Sequence, residues 1–402
     1  MSSNIAEQRI HFLDNLRAIA MLLGVVFHAA MAYTPLLKTV LPTAGPEQSV
    51  ALDVFAWFTH LWRMPLFFLV SGFFAVLLIH LRGVGGFLKN RALRIAAPLI
   101  VFLPVVTLMF IASIGWALES VEHPSIMLAQ IRVMIAEGTA TPPPASTAHL
   151  WFLFNLCLFC LTVVPLVKLN VLEGRWANRM LEPKWLLTLA PLLIFPALAS
   201  QQTPHPAPEK LYPELWSFGF YGVFFLVGGL LYGRLEALNQ YERLTTPLFV
   251  VSCLLFVVIY QAISSETLTP DQILASGHVV MSYTHLLTTL LSSVVAVYVT
   301  VCCLVWGRKL LAFKNTAMRY IADASYWIYI VHLPIIFTAQ YIMLDVDWGV
   351  WPEFLISTAA GFGIGLVTYA LFVRWTPIGL LLNGRRVPLR QKPKGVRWDQ
   401  PQ

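Results

Sequence analysis

The segment "LDNLRAIAMLLGVVFHAAM", residues 13–31, is apolar enough to form a membrane-spanning helix, yet it contains three ionisable side chains. About 20 consecutive apolar residues suffice for a helix to cross the hydrocarbon core of a bilayer. Asp14, Arg17 and His28 are costly in lipid, so they are expected to face protein or a polar cavity. The segment therefore predicts a membrane helix with one functional face.

The rest of the chain has the same apolar character. Of its 402 residues, 58% are hydrophobic and 12% are charged, against roughly 25% charged residues in an average soluble domain. We predict an all-α polytopic membrane protein with about ten transmembrane helices. The predicted segments are 13–33, 52–80, 95–116, 148–168, 184–200, 216–233, 246–263, 279–306, 319–341 and 351–373. The fifth is short and contains two prolines, so it is either a kinked span or a re-entrant segment.

The distribution of positive charge predicts the orientation. If the segments cross the membrane alternately, most of the 27 lysines and arginines fall in loops on one side, and the other side receives only Lys38, Arg132 and Lys210. Because cytoplasmic loops are enriched in Lys and Arg, both termini are predicted to be cytoplasmic. Residues 1–380 then form the transmembrane domain and residues 381–402 a basic cytoplasmic tail. The net charge of +7 is explained by contact with anionic lipid and requires no nucleic-acid partner.

Helical geometry separates the polar groups of the first segment into two levels. At 100° per residue, Arg17 and His28 lie about 20° apart around the helix, but about 16 Å apart along its axis. They share a face and act at different depths. Asp14 precedes Arg17 by one turn, so we interpret these two residues as an ion pair.

Two further segments bring polar side chains to the depth of His28. In "FTHLWRMPLFFLVSGFF" the residues His60, Arg63 and Ser71 share one helical face. In "SYWIYIVHLP" the same holds for Tyr329 and His332. Pro334, the last residue of that motif, is able to kink the helix or free a carbonyl.

The convergence of these groups predicts a polar cavity that opens to the outer side. Zinc is not expected there, because intramembrane carboxylates are scarce and no close histidine pair exists. On the inner side, "LKNRALRIAAP" places Arg91 and Arg94 one turn apart. They are either ordinary cytoplasmic charge or, with a helix N-terminus, a site for a phosphorylated ligand.

Several of these motifs resemble those of one family. The segment "FLDNLRAIAMLLGVVFH" resembles the opening motif of the membrane acyltransferase-3 family, an arginine and a histidine separated by ten residues, here Arg17 and His28. "RMPLFFLVSGFF", "RALRIAAP", "HLWFL" and "SYWIYIVHLP" follow in the order of that family. The resemblance covers the first four segments and the ninth.

The resemblance implies a multi-pass protein of the bacterial inner membrane that moves an acyl group across it. The donor is a cytoplasmic acyl-CoA used as co-substrate, with no permanently bound cofactor, and the acceptor is a carbohydrate outside. The branch it resembles most succinylates osmoregulated periplasmic glucans, so succinyl-CoA and a periplasmic glucan are the expected substrates. The alternative within the family is O-acetylation of another cell-surface polysaccharide.

The family motifs also suggest residue roles. His28 is the expected general base, because imidazole titrates near neutral pH. Direct transfer is expected, with an acyl-histidine intermediate as the alternative. The remaining candidates are Arg63, His332 and Tyr329 for catalysis, Arg17, Asp14, Arg91 and Arg94 for the donor, and His60, Ser71, His149 and Trp151 for the acceptor.

Two other classes of protein fit part of the pattern. Buried histidine, arginine and tyrosine residues also form proton relays in transporters, although this sequence shows no internal repeat and no membrane-buried carboxylate. A non-catalytic scaffold for polysaccharide export is the other class, but this function does not explain why charged residues lie inside membrane helices. Both classes are weaker hypotheses than an acyltransferase.

Overall fold

The computed structural model describes residues 2–264 and 279–384, with side chains from residue 11 onward. Within those ranges the chain forms helices and turns without strands, apart from one isolated bridge between Ser146 and Lys210. The all-α prediction is confirmed. Most of the predicted basic tail, residues 385–402, lies outside the described residues and stays a prediction.

In chain order, the helices of the described residues are α1 (Ser2–Met31), α2 (Val50–Arg91), α3 (Ala97–Ser120), α4 (Ile126–Ala136), α5 (Trp151–Lys168), α6 (Arg175–Met180), α7 (Pro183–Ala199), α8 (Leu215–Ser217), α9 (Val223–Leu231), α10 (Thr245–Ser264), α11 (Tyr283–Leu310), α12 (Thr316–Met343), α13 (Val350–Thr368) and α14 (Pro377–Asn383). Wider π-type turns occupy Ala92–Ala96, Phe218–Gly222 and Tyr369–Val373, and 3₁₀ turns occupy Pro35–Leu37, Ala148–Leu150 and Leu235–Tyr241.

Seven stretches of the described residues are long and apolar enough to cross a membrane. They are His11–Met31, Val50–Ser120, Ala148–Lys168, Thr245–Ser264, Tyr283–Leu310, Thr316–Met343 and Val350–Val373. An eighth results if Leu215–Leu231 and Leu235–Tyr241, which meet at a 109° bend, form one broken span. The multi-pass architecture agrees with the sequence prediction.

The difference from ten spans has identifiable causes. The predicted second and third segments belong to one helical stretch of 71 residues, which at 1.5 Å per residue is about 105 Å long and exceeds a single crossing. The predicted fifth segment corresponds to α7, an apolar helix of 17 residues with both of its prolines inside it. The predicted sixth segment ends at the 109° bend.

The long stretch is broken at two places near its middle. Gly83 has a φ of +67°, which interrupts the helical backbone of α2 and which residues with a side chain rarely adopt. The π-type turn Ala92–Ala96 then joins α2 to α3. Arg91 and Arg94 therefore lie at an irregular junction between two helices.

Glycines allow α2 to pack directly against α9. A Cβ atom added to Gly72 would lie 1.9 Å from the carbonyl oxygen of Phe225, and one added to Gly228 would lie 1.8 Å from that of Leu69. The backbones thus touch, as in other helix pairs with small residues at the interface. Gly228 opens the segment "GGLLYG", residues 228–233, and its small size permits this close approach.

Helix α1 lies in the interior between α2 and α12. The side chain of Arg63 on α2 lies against Gly24, and Gln340 on α12 donates a hydrogen bond to the Ala29 carbonyl at 3.0 Å. Because α1 is continuous over Ser2–Met31, Arg17 and His28 cannot touch each other. The two predicted levels on this helix are therefore retained.

Candidate active site

Three histidines from distant parts of the chain form a row. His28 lies near the end of α1, His332 lies on α12, and His149 lies in the 3₁₀ turn before α5. The ring centroids are 5.3 Å apart for His28 and His332, and 5.2 Å apart for His149 and His332. His149 and His332 are buried and His28 is half-buried. We name these three residues the histidine row.

Backbone carbonyls set the tautomers of two of these rings. A carbonyl oxygen only accepts hydrogen bonds, so His332 Nδ1 donates to the Tyr329 carbonyl at 2.7 Å and His149 Nε2 donates to the Ile330 carbonyl at 3.0 Å. In the neutral rings the opposite nitrogens, His332 Nε2 and His149 Nδ1, carry lone pairs. Both are buried and have no hydrogen-bond partner among the described residues. The row therefore presents proton acceptors to its interior.

Pro334 explains why the Ile330 carbonyl is available. In a regular helix this carbonyl would accept from the N–H of residue 334, but proline has none. His149 Nε2 replaces that missing donor. The freed carbonyl expected from the motif "IYIVHLP" is thus present, and it anchors the third histidine.

Tyr329 holds the turn that carries His149. Its hydroxyl donates to the His149 carbonyl at 2.7 Å, so its proton is already engaged. The preceding residue, Ala148, has a φ of +45°, a strained conformation for a residue with a side chain. Tyr329 therefore acts on His149 through its backbone, and a role at an oxyanion would require this bond to break.

Arg63 lies beside the same face of α1. Its side chain is only 7% exposed, and its guanidinium carbon lies 4.6 Å from the centre of the Phe27 ring. Its Nη1 occupies the space next to Gly24, where a Cβ atom would lie 2.5 Å away. Within the described residues, Arg63 makes no ion pair and its buried Nε has no hydrogen-bond partner.

His60 is separate from the histidine row, although both His60 and His28 contact the ring of Phe27. Its ring stacks on Phe27 at 5.8 Å, and its Nε2 donates to the His205 carbonyl at 2.9 Å. The rings of His60 and His205 are 4.3 Å apart. His205 is buried in the loop after α7, and burial lowers its pKa well below the usual range, with repulsion from His60 lowering it further. This loop residue was missed from the sequence, although a histidine between two prolines was a visible signal.

The structure places Ser71 on α2 beyond Arg63 and Trp151 among aromatic rings. Ser71 follows Arg63 by eight residues on α2, which is about 12 Å along the helix. Trp151 packs among aromatic rings, 5.2 Å from Tyr221 and 6.0 Å from Phe68. Their predicted contact with the acceptor stays a prediction.

A second polar group lies near the other end of the same face of α1. Arg17 forms the expected ion pair with Asp14 at 3.3 Å, with both side chains 40% exposed. Arg91 lies over Phe87 and is close enough to Arg17 and Arg82 for their charges to repel. We name Arg17, Arg82 and Arg91 the arginine group. Arg82 was not among the sequence candidates.

Arg94 differs from this group because backbone carbonyls engage it. Its Nη1 donates to the carbonyls of Leu380 and Leu381 near the end of α14. The Arg94 carbonyl in turn accepts from the hydroxyl of Tyr326 at 2.8 Å. Arg94 thus ties α14 to the junction between α2 and α3, and its predicted contact with a donor phosphate stays a prediction.

The described residues contain no group of three or more histidine, cysteine, aspartate or glutamate side chains placed to hold a metal ion.

Comparisons with known proteins identify the family of this chain. The family model described as an acyltransferase domain matches residues 10–370. The chain belongs to the acyltransferase-3 family. The match includes the histidine row and the arginine group, so the resemblance seen in the short motifs is confirmed over nearly the whole chain. As a member of the acyltransferase-3 family, the protein is a membrane acyltransferase.

The curated relatives cover the same length. Glucans biosynthesis protein C of Escherichia coli O6:K15:H31 (strain 536 / UPEC) is 26% identical over 406 residues, which are 97% of this chain and 98% of that protein. The protein of the same name from Escherichia coli (strain K12) is 26% identical over 407 residues with the same coverage. No solved structure matches the chain.

Proposed function

We propose that this acyltransferase moves a succinyl group from cytoplasmic succinyl-CoA to hydroxyl groups of a periplasmic glucan. The observation that carries the proposal is the histidine row, whose lone pairs face the interior of the protein about 16 Å along α1 from a group of arginines. The name of the relatives, glucans biosynthesis protein C, supports a glucan as acceptor.

The proposal includes a topology. The chain has ten spans in the bacterial inner membrane with both termini in the cytoplasm, so that the arginine group lies at the cytoplasmic end of α1 and the histidine row near the periplasmic end. The distribution of lysine and arginine between alternate loops supports this orientation. The arginines then bind the phosphates of the donor, and its thioester arm extends along α1 towards His28.

The reaction requires one proton acceptor at the thioester. A sugar hydroxyl oxygen attacks the thioester carbonyl carbon and forms the new C–O bond, while the hydroxyl proton passes to His28. Collapse of the tetrahedral intermediate breaks the C–S bond, and His28 returns the proton to the leaving sulfur. His332 lies next to His28 with its Nε2 lone pair unpartnered among the described residues, so it can accept a hydrogen bond from the N–H of the other ring nitrogen of His28 and orient that ring.

The donor and the acceptor are tested together with purified protein. We expect wild-type protein, given a neutral β-glucan oligomer and succinyl-CoA, to yield a product with a succinyl-sized gain in mass and to release CoA thiol. The same mixture without the glucan is the control, and it should release little thiol. An acetyl-sized gain from acetyl-CoA in place of succinyl transfer would contradict the proposed donor, and no transfer from any acyl-CoA by folded protein would contradict the reaction.

A further inference from the structure

Arg63 is a buried cation with no balancing anion among the residues that the structure describes. Of the lysines and arginines whose side chains are described, Arg63 alone is buried. Such residues are almost never fully buried unless they are paired, because the charged group loses its hydration. An unpaired arginine inside a membrane protein therefore indicates a functional site.

The buried carboxylates of the described residues lie elsewhere. They are Asp53 and Glu353. Asp53 precedes Arg63 by ten residues on α2, about 15 Å along the axis, and its two oxygens accept from Trp57 Nε1 and the Tyr260 hydroxyl. Glu353 lies in the first turn of α13, with its Oε2 close to Gly45. The ring of Phe27 offsets part of the desolvation of Arg63 but supplies no negative charge.

The guanidinium lies where it can contact a bound acyl group. Its Nη1 is packed against Gly24, one helical turn before His28 on α1, so the two positions are about 40° apart on the same face. The guanidinium lies over the ring of Phe27, and this ring also contacts the ring of His28, with centroids 5.1 Å apart. For His28 to take the proton from the attacking sugar hydroxyl, the thioester must lie close to His28. Arg63 thus borders the expected position of the thioester.

We infer that Arg63 binds a carboxylate at the far end of the acyl group, and so selects donors that carry a dicarboxylic acid as its mono-thioester. This inference rests on the proposed acyl transfer and names the residue that would set its donor specificity. A guanidinium forms two parallel hydrogen bonds with a carboxylate, which supplies both the missing charge and a directional contact. A neutral acyl group such as acetyl leaves Arg63 buried and unpaired, and that state is unfavourable.

A different role for Arg63 leads to a different result. If the guanidinium only stabilised the oxyanion of the tetrahedral intermediate, it would serve every thioester equally. Removal of its charge would then slow succinyl and acetyl transfer by the same factor. If Arg63 binds the carboxylate, removal of its charge reduces mainly the transfer from the succinyl donor, and the reduction appears mainly as a higher KM for that donor.

The test is a competition between succinyl-CoA and acetyl-CoA for one glucan acceptor, with the two products measured by mass. We expect wild-type protein to favour succinyl by about tenfold or more, since sites built to pair a polar group reject analogues that lack it. Arg63→Gln should bring the ratio close to one, with the greater part of the change in KM for succinyl-CoA. Arg63→Lys keeps the charge without the two-point contact, so its ratio should be intermediate.

A second variant tests the same contact from the opposite helix. In Gly24→Ala the new methyl group displaces Nη1 while Arg63 itself is retained, so the ratio should fall in the same direction. Arg319→Gln, at an exposed arginine of α12 outside both polar groups, is the matched control and should leave the ratio unchanged.

The outcomes separate this inference from the proposed function. Equal losses with both donors in Arg63→Gln, or a wild-type protein without preference for succinyl, would overturn the role of Arg63 while acyl transfer stands. A wild-type protein that transfers from no thioester removes the proposed function and this inference together. If Arg63→Gln does not fold, Arg63→Lys and Gly24→Ala decide the question.

Discussion

The histidine row and the arginine group each include one residue from the same face of α1, His28 and Arg17, but the two groups are built in opposite ways. The histidines come from three separate elements, and two of them are buried and fixed by backbone carbonyls. In the arginine group, Arg17 is 40% exposed and Arg82 is exposed, so these two charges remain hydrated, whereas Arg91 is partly buried and its Nε is fully buried. Burial and hydrogen bonds to the backbone characterise one end of the face, and charge and partial solvent access characterise the other.

The contrast indicates a division of labour along one helix. Buried rings with fixed tautomers suit a proton transfer, because the acceptor lone pairs are oriented before the substrate arrives. Half-exposed arginines suit the binding of phosphates, because they need not lose their hydration until the ligand replaces it. Substitutions at the two ends should therefore affect different kinetic constants.

The largest effect is expected at His28. His28→Gln keeps a polar side chain without a titratable nitrogen, so kcat should fall by about 10²–10⁴-fold, the usual contribution of a general base. The KM for succinyl-CoA should change little, because the arginine group is intact. The measurement is CoA thiol release in the presence of glucan. The control is His123→Gln, which alters a histidine whose side chain is 75% exposed. If His28→Gln raised the KM and left kcat normal, His28 would act in binding and not as the base.

A smaller effect is expected from the neighbouring ring. In His332→Asn the amide nitrogen can still donate to the Tyr329 carbonyl, but the lone pair of Nε2 is lost. We expect kcat to fall by about 10–100-fold, as for other residues that orient a working group, with an unchanged melting temperature. The matched variant His332→Gln places the amide near the Nε2 position and loses the hydrogen bond to the Tyr329 carbonyl. Full activity in His332→Asn would remove the orienting role.

Local periodicity predicted the contacts made within one helix. The pairing of Asp14 with Arg17 and the separation of Arg17 from His28 follow from 3.6 residues per turn. The carbonyl freed by Pro334 follows from the missing N–H of proline. These features need no knowledge of how the helices pack.

Contacts between distant helices were beyond the reach of that reasoning. The sequence placed His60 at the depth of His28, yet His149 is the residue that completes the histidine row. Likewise, nothing in "RALRIAAP" shows that Arg94 will bind the carbonyls of α14. Such contacts depend on helix packing and on irregular turns. The helical spacing of residues in a single sequence does not reveal either.

The smallest kinetic effect is expected at the arginines, where Arg91 and Arg94 form a matched pair three residues apart. Arg91 lies beside Arg17 and Arg82, and its buried Nε has no hydrogen-bond partner among the described residues. Arg91→Gln should therefore raise the KM for succinyl-CoA by about tenfold, the usual value of one charge-assisted contact, and leave kcat nearly unchanged. Arg94 already bonds to Leu380 and Leu381, so Arg94→Gln should lower the melting temperature with little change in KM. Initial rates at several donor concentrations, together with thermal unfolding of both variants, check the pair. Because salt screens the attraction between the arginine group and the donor phosphates, the KM of wild-type protein should rise with ionic strength more steeply than that of Arg91→Gln. Equal KM changes in the two variants would mean that Arg94 also reaches the donor, and that its bonds to α14 yield to the ligand when it binds.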